Sequence, residues 1–289
     1  MTEYHILNLG AGVQSTMLYL LACEGHQIMP PLNCAIFADT GDEPQAVYAH
    51  LEWLKTLGGP EIIVRSNGNS LSHDLINGTI GRTGRTGRTG RRFATIPAFT
   101  VNGGMGKRQC TKEYKIDVVE RCIRREIVGL KPRQRFPVKD VHIHQYMGLS
   151  FDESRRVTRV RARFWRDIPW STPHFPLFES NTTRAGCREW LKSRVPHRVP
   201  RSACVECPFH DNDEWRSIKS NPEDWELACT VDEKLRSHKY LWEGTAQGNM
   251  REKQFLHRSC VPLRDADLST PEPHAEFGFV RECEGMCGV

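Results

Sequence analysis

Short apolar blocks alternate with amphipathic stretches at the start of the chain. Ile6-Leu7-Asn8-Leu9 reads as a buried strand, and Leu32-Asn33-Cys34-Ala35-Ile36-Phe37-Ala38 as a second. Between them Met17, Leu18, Leu20 and Leu21 fall on one face of a helix. Residues 43–57 carry Val47, Leu51 and Leu54 at helical spacing, with Pro44 early and Gly58-Gly59-Pro60 as the stop. Glu61-Ile62-Ile63-Val64-Arg65 is a third strand. This β-α-β-α-β order predicts an α/β fold with a doubly wound, Rossmann-like parallel sheet.

Periodicity fades from residue 66 to 107. Inside this stretch Gly81-Arg82-Thr83-Gly84-Arg85-Thr86-Gly87-Arg88-Thr89-Gly90-Arg91-Arg92 repeats every three residues. It is expected to be a solvated, flexible basic insertion spanning about 78–106. Ile116, Val119, Ile123 and Ile127 then mark a helix over about 115–128. Val141 to Leu149 reads as a later strand, and Thr182 or Thr183 as the cap of a helix holding Cys187, Trp190 and Leu191. Two further helices are expected near 213–219 and 222–236, before an irregular tail. The organisation expected is an α/β nucleotide-binding domain over 1–180 and a helical, cysteine-bearing C-terminal region over 181–289.

Composition narrows the class. With 26% charged residues, a mean hydropathy of −0.53 and no long apolar run, no membrane span is expected. The N-terminus lacks the pattern of a signal peptide, so a cytoplasmic setting is expected. There, eleven cysteines argue for thiol, metal or cluster chemistry over a disulfide framework. The net charge of +5 is modest, and its concentration in Arg82, Arg85, Arg88, Arg91 and Arg92 suits the phosphates of a nucleic acid or nucleotide.

Two stretches suggest a nucleotide site. Gly10-Ala11-Gly12-Val13-Gln14-Ser15-Thr16 is a small-residue turn entering a helix, where amide N–H groups and the helix dipole favour an anion. Asp39-Thr40-Gly41 closes the second strand, at the edge where open α/β sheets bind ligands. Together these resemble the PP-loop adenine nucleotide alpha-hydrolase superfamily, in the branch of phosphoadenylyl-sulfate (PAPS) reductases and DndC-type DNA phosphorothioation proteins. The family loop reads roughly Ser-Gly-Gly-x-Asp-Ser, and here Gly10 and Gln14 replace its serine and its acid. Gly148 to Arg155 resembles the family's Gly-x-x-x-Asp-Glu-Ser-x-x-Arg element.

Cys204-Val205-Glu206-Cys207 places two thiols three positions apart, as zinc and iron–sulfur sites do. Cys110, among Lys107, Arg108, Lys112 and Lys115, is the third candidate ligand. In the resembling reductases a Cys-Cys pair and a later Cys-x-x-Cys supply four ligands. Here the fourth is sought at Cys287 or Cys283, with Cys260 in reserve. The family's C-terminal Glu-Cys-Gly nucleophile is similar to Glu282-Cys283-Glu284-Gly285, so Cys283 is the candidate nucleophile.

The resemblance implies an ATP-dependent, adenylylating sulfur-transfer enzyme acting on a nucleic acid or a small acceptor. ATP (or PAPS) with magnesium would be held by Gly10–Thr16, Asp39, Thr40, Gly41 and Gly148. Lys112, Lys115 and Arg155 would stabilise charge on phosphate. A [4Fe–4S] cluster would sit on the cysteines, with zinc as the alternative, and a sulfur donor or thiol reductant protein would be a partner. Two other readings remain: a sulfonucleotide reductase, and a non-catalytic nucleotide- and nucleic-acid-binding protein with structural zinc.

Overall fold

A computed structural model describes residues 1–77, 79–83, 88–92, 96–105, 108–237 and 252–270. Strand β1 (Thr2–Asn8) leads through a tight turn into helix α1 (Val13–Cys23). Strand β2 (Cys34–Asp39), helix α2 (Gln45–Lys55) and strand β3 (Ile62–Ser66) follow, as the apolar pattern predicts. Helix α3 (Leu71–Ile76) was not anticipated, although Ser70 caps it by accepting from the His73 N–H at 3.1 Å.

Strands β4 (Thr79–Thr83) and β5 (Arg88–Arg92) pair antiparallel, with Gly81 opposite Gly90. The basic repeat therefore forms a ribbon where a flexible loop was expected. Main-chain hydrogen bonds need no apolar side-chain period, and threonine favours extended backbone. Strand β6 is Phe99–Thr100. A continuous helix then runs as a π-type turn (Thr111–Ile116), α4 (Asp117–Cys122) and a second π-type turn (Ile123–Ile127), starting four residues before the position expected.

Strand β7 (Val141–Met147) precedes a single 3₁₀ turn and helix α5 (Ser154–Asp167), and strand β8 (Ser171–His174) precedes the short helix α6 (Pro176–Glu179). Helix α7 (Arg184–Lys192) is capped by Thr183. Helices α8 (Asn212–Lys219) and α9 (Pro222–Arg236) follow, and strand β9 (Gln254–Phe255) pairs back onto β6.

The main sheet is five-stranded, fully parallel, in the order β3-β2-β1-β7-β8. This is a Rossmann-like α/β sheet with helices on both faces. Leu7, Leu9, Phe37 and Tyr146 pack under α1, α2 and α7 on one face. Ile6, Ile36, Ile143 and Met147 pack under α4 and α5 on the other. A third core joins α3, α8 and α9 around the fully buried Trp215. Cys34, Cys122, Cys187 and Cys229 are buried, and Cys23 is exposed at the end of α1. Among the described residues no helix is long and apolar enough to cross a membrane.

A polar chain runs under the first core. The Thr16 hydroxyl meets His50 Nε2 at 2.8 Å, and His50 Nδ1 meets His197 Nε2 at 2.8 Å. Burial, and then His197, push the His50 imidazole from its ordinary 6.5 down to about 4. The folded state thus resists protonating a ring that the unfolded chain protonates near 6.5. Stability contributed by neutral His50 is present above that value and is lost as pH falls toward 4, by on the order of 3 kcal/mol. Urea midpoints measured at pH 7 and pH 4.5 should fall less in His50→Gln than in the unaltered protein.

Candidate nucleotide and thiol site

The order of the sheet reverses at β1, so the loops after β1 and β7 diverge from adjacent strand ends, and the crevice position between them is filled by their own contact. Gly10 to Thr16 line the β1 side and are all buried. Ala11 holds a left-handed φ of 53°, a conformation costing a non-glycine residue about 1 kcal/mol. The N–H groups of Gly10 and Gly12 both donate to the Ser15 hydroxyl, at 3.2 Å each. Gly148 closes the β7 side. A Cβ there would sit 2.7 Å from the Ser15 nitrogen, so only glycine lets these two backbones meet. Gln14 ties the sides together by donating to Glu153 Oε2 at 3.1 Å, and Glu153 in turn pairs with Arg156.

The loop after β2 is the hub. Asp39 Oδ1 accepts from the Tyr48 hydroxyl and the Gly41 N–H, both at 2.8 Å. Burial, and then the Asp39 hydrogen bond and charge, hold the Tyr48 phenol well above its ordinary range. Asp42 accepts from the Ser72 N–H at 2.5 Å and the Ser72 hydroxyl at 2.8 Å, yet burial raises its carboxyl despite these bonds. Glu43 Oε1 accepts from the Thr40 hydroxyl at 3.3 Å and lies 3.1 Å from Lys115 Nζ. Glu43 and Lys115 are 2% and 4% exposed, a fully enclosed ion pair.

The Cys204–Cys207 turn docks onto this hub. Val205 N–H donates to the Asp42 carbonyl at 2.8 Å, and the Cys204 thiol lies 3.2 Å from Thr40 Oγ1. Cys110, Cys204 and Cys207 then line one cavity of about 20 Å³ with Arg108, Glu206 and Phe209. Arg108 stacks on the Phe209 ring at 4.3 Å. Glu206 is completely buried, and among the described residues neither carboxylate oxygen has a hydrogen-bond partner. Burial foremost, and then the nearby Asp42, push its carboxyl well above the usual range.

A larger cleft, of about 490 Å³, opens beside Val13 at the start of α1. Arg184, Arg188, Arg198 and Arg201 line it, opposite Asp213 and Asp224. These arginines were missed, although Arg184 and Arg188 have the spacing of one helix face. Glu43 and Glu206 were quoted within motifs but given no role, because burial of an acid leaves no mark in local sequence.

Several expected site residues stand elsewhere. Lys112 is 67% exposed and bound to Asp117 at 2.7 Å, since the wide π-type turn carries it away from Lys115. Arg155 is exposed on the first turn of α5, and its neighbour Arg156 makes the link toward the loop. The Thr16 hydroxyl faces His50. Cys260 sits in its own turn, with φ of 55°, and does not line the thiol cavity. Cys283, Cys287 and Arg85 lie outside the described residues, as do the side chains of Arg82, Arg88, Arg91 and Arg92.

Lys115→Met removes one member of the enclosed pair and leaves the Glu43 charge uncompensated. A loss of about 3–5 kcal/mol is expected. The double variant Glu43→Gln/Lys115→Met should recover much of that loss, and a urea double-mutant cycle measures the coupling.

The chain matches no protein-family model, no curated protein and no solved structure.

Proposed function

We propose that the chain is a nucleotide-dependent, sulfur-handling enzyme. It would bind ATP at the loop after β1 and use Cys110, Cys204 and Cys207 to hold an iron–sulfur cluster. The observation that carries this reading is the docking of the Cys204–Cys207 turn onto the loop after β2, with Cys110 on the same cavity. That docking joins the two stretches whose motifs resemble the PP-loop and PAPS reductase-like enzymes.

The chemistry of each part supports it. Gly10 and Gly12 present two main-chain donors to one point, now taken by the Ser15 hydroxyl, and a phosphate oxygen is the natural replacement. The arginine-lined cleft beside Val13 has a volume in the range of small-ligand sites and suits a polyphosphate. Thiols are the donors that soft iron and zinc centres take. An iron–sulfur cluster takes such thiolates on separate irons. Such a group would supply a place to hold sulfide or a thiol. Lys115, paired with Glu43, would set the charge between phosphate and thiols, and Glu206 would offer a hydrogen bond to a cysteine sulfur. The arginines of the β4–β5 ribbon would meet the phosphates of a nucleic-acid acceptor.

Anaerobic purification should give a brown protein with about four irons per chain. Cys207→Ser should lose most of that iron. Calorimetry should detect ATP binding, weakened at least about tenfold in Gly148→Ala because the new methyl displaces the Ser15 backbone. A colourless protein that binds neither ATP nor PAPS sinks the proposal. A colourless protein with one zinc that still binds nucleotide would reduce it to nucleotide recognition alone.

A further inference from the structure

The opposite end of the sheet carries a second concentration of chemistry. Glu3 and His5 on β1 lie beside His142 and His144 on β7, in register Glu3 to His142 and His5 to His144. Tyr146 and His174 pair next to them across β7 and β8. Alternation along a strand puts Glu3, His5, His142, His144 and Tyr146 on one face. It is the face whose carboxyl half is covered by α1 and α7.

Donor atoms of Glu3, His5 and His144 all lie within 4.8 Å of one another. The second nitrogen of each ring is already engaged. His5 Nδ1 meets the Tyr146 hydroxyl at 2.9 Å, and His144 Nδ1 meets His174 Nε2 at 2.9 Å. Metal-bound histidines are held in this way, with an outer partner fixing the ring and its tautomer. His144 Nε2 is buried and has no hydrogen-bond partner among the described residues. It faces Glu3 Oε2 at 3.7 Å, too long for a hydrogen bond. In the tautomer that donates from Nδ1 to His174, a nitrogen lone pair therefore confronts a carboxylate. A cation between them turns that repulsion into two bonds. Two donors on one tetrahedral ion, with bonds of roughly 2.1 Å, lie about 3.4 Å apart, so little movement is needed.

We propose that Glu3, His5 and His144 bind a divalent ion of the zinc class, clipping β1 to β7 at the amino-terminal edge of the sheet. Two imidazoles and a carboxylate are a recurrent zinc donor set, leaving a fourth position for water. None of these three residues lines the thiol cavity, and β1 runs on three residues beyond His5, about 10 Å, before the turn into α1.

The test is a zinc titration of the metal-stripped full chain by calorimetry, with melting temperature as a second readout. One zinc equivalent should persist in Cys207→Ser, which separates it from thiol-bound metal, and zinc should raise the melting temperature of that variant. Glu3→Gln, at a half-exposed side chain, should weaken this equivalent at least about tenfold without unfolding the protein. His144→Gln should abolish it. If Cys207→Ser binds no zinc, or binds it equally well with Glu3→Gln added, the proposal is overturned.

Discussion

Four ionisable side chains are enclosed where β2 ends: Asp42, Glu43, Lys115 and Glu206, each under 5% exposed. Removing an isolated charge from water costs several kcal/mol even after the protein relaxes. Lys115 can offset one carboxylate, and it takes Glu43 at 3.1 Å. Asp42 is met by two donors from Ser72, and Glu206 by none among the described residues. The raised carboxyls of Asp42 and Glu206 are the consequence, because a buried acid that lacks a counter-charge keeps its proton. Three distant stretches, at 39–43, 110–115 and 204–207, meet at that charge balance. The joining of the loop after β2 to the thiol cavity therefore rests in part on one enclosed ion pair.

The loop after β1 shows the same economy of parts. Ala11 sits in a conformation that alanine disfavours, and Gly148 occupies a gap with no room for a methyl group. Both constraints hold the main chain of residues 10–15 in place against β7. The Ser15 hydroxyl gathers the two N–H groups that this shape exposes, so the loop is satisfied as it stands. Rotation of one hydroxyl would release both donors. Strain of this kind is tolerated where packing over-determines the backbone, as Gln14, Glu153 and Arg156 do here.

Much of this was legible in the sequence. The first three strands and two helices follow from apolar blocks bounded by glycine and proline, and α9 matches its expected span. Cys110, Cys204 and Cys207, singled out in the sequence as candidate ligands, line one cavity. The misses have physical causes. The Arg-Thr-Gly ribbon has no apolar face to betray it, since its pairing is through the main chain. Lys112 and Lys115 look equivalent in sequence, but a π-type turn sends one to solvent and the other into the interior. Arg155 and Arg156 differ likewise by one position on a helix. Glu206 reads as a surface residue between two cysteines, and only the docking of that turn buries it.

A parallel sheet is asymmetric, and the asymmetry explains where chemistry can gather. All five strands end at one edge, so the loops carrying Gly10–Ser15, residues 39–43 and Gly148–Glu153 meet there by topology alone. The other edge receives only chain returning from helices. Functional groups at that edge must come from the strands themselves. Glu3, His5, His142, His144 and His174 are all strand residues, set side by side by register and not by any loop. Their spacing is fixed by the hydrogen-bond ladder, the most rigid part of the fold. The carboxyl edge is built from the loops of separate strands, where a ligand can be reached from several sides. The amino edge, built from the ladder, is suited to an ion that stays.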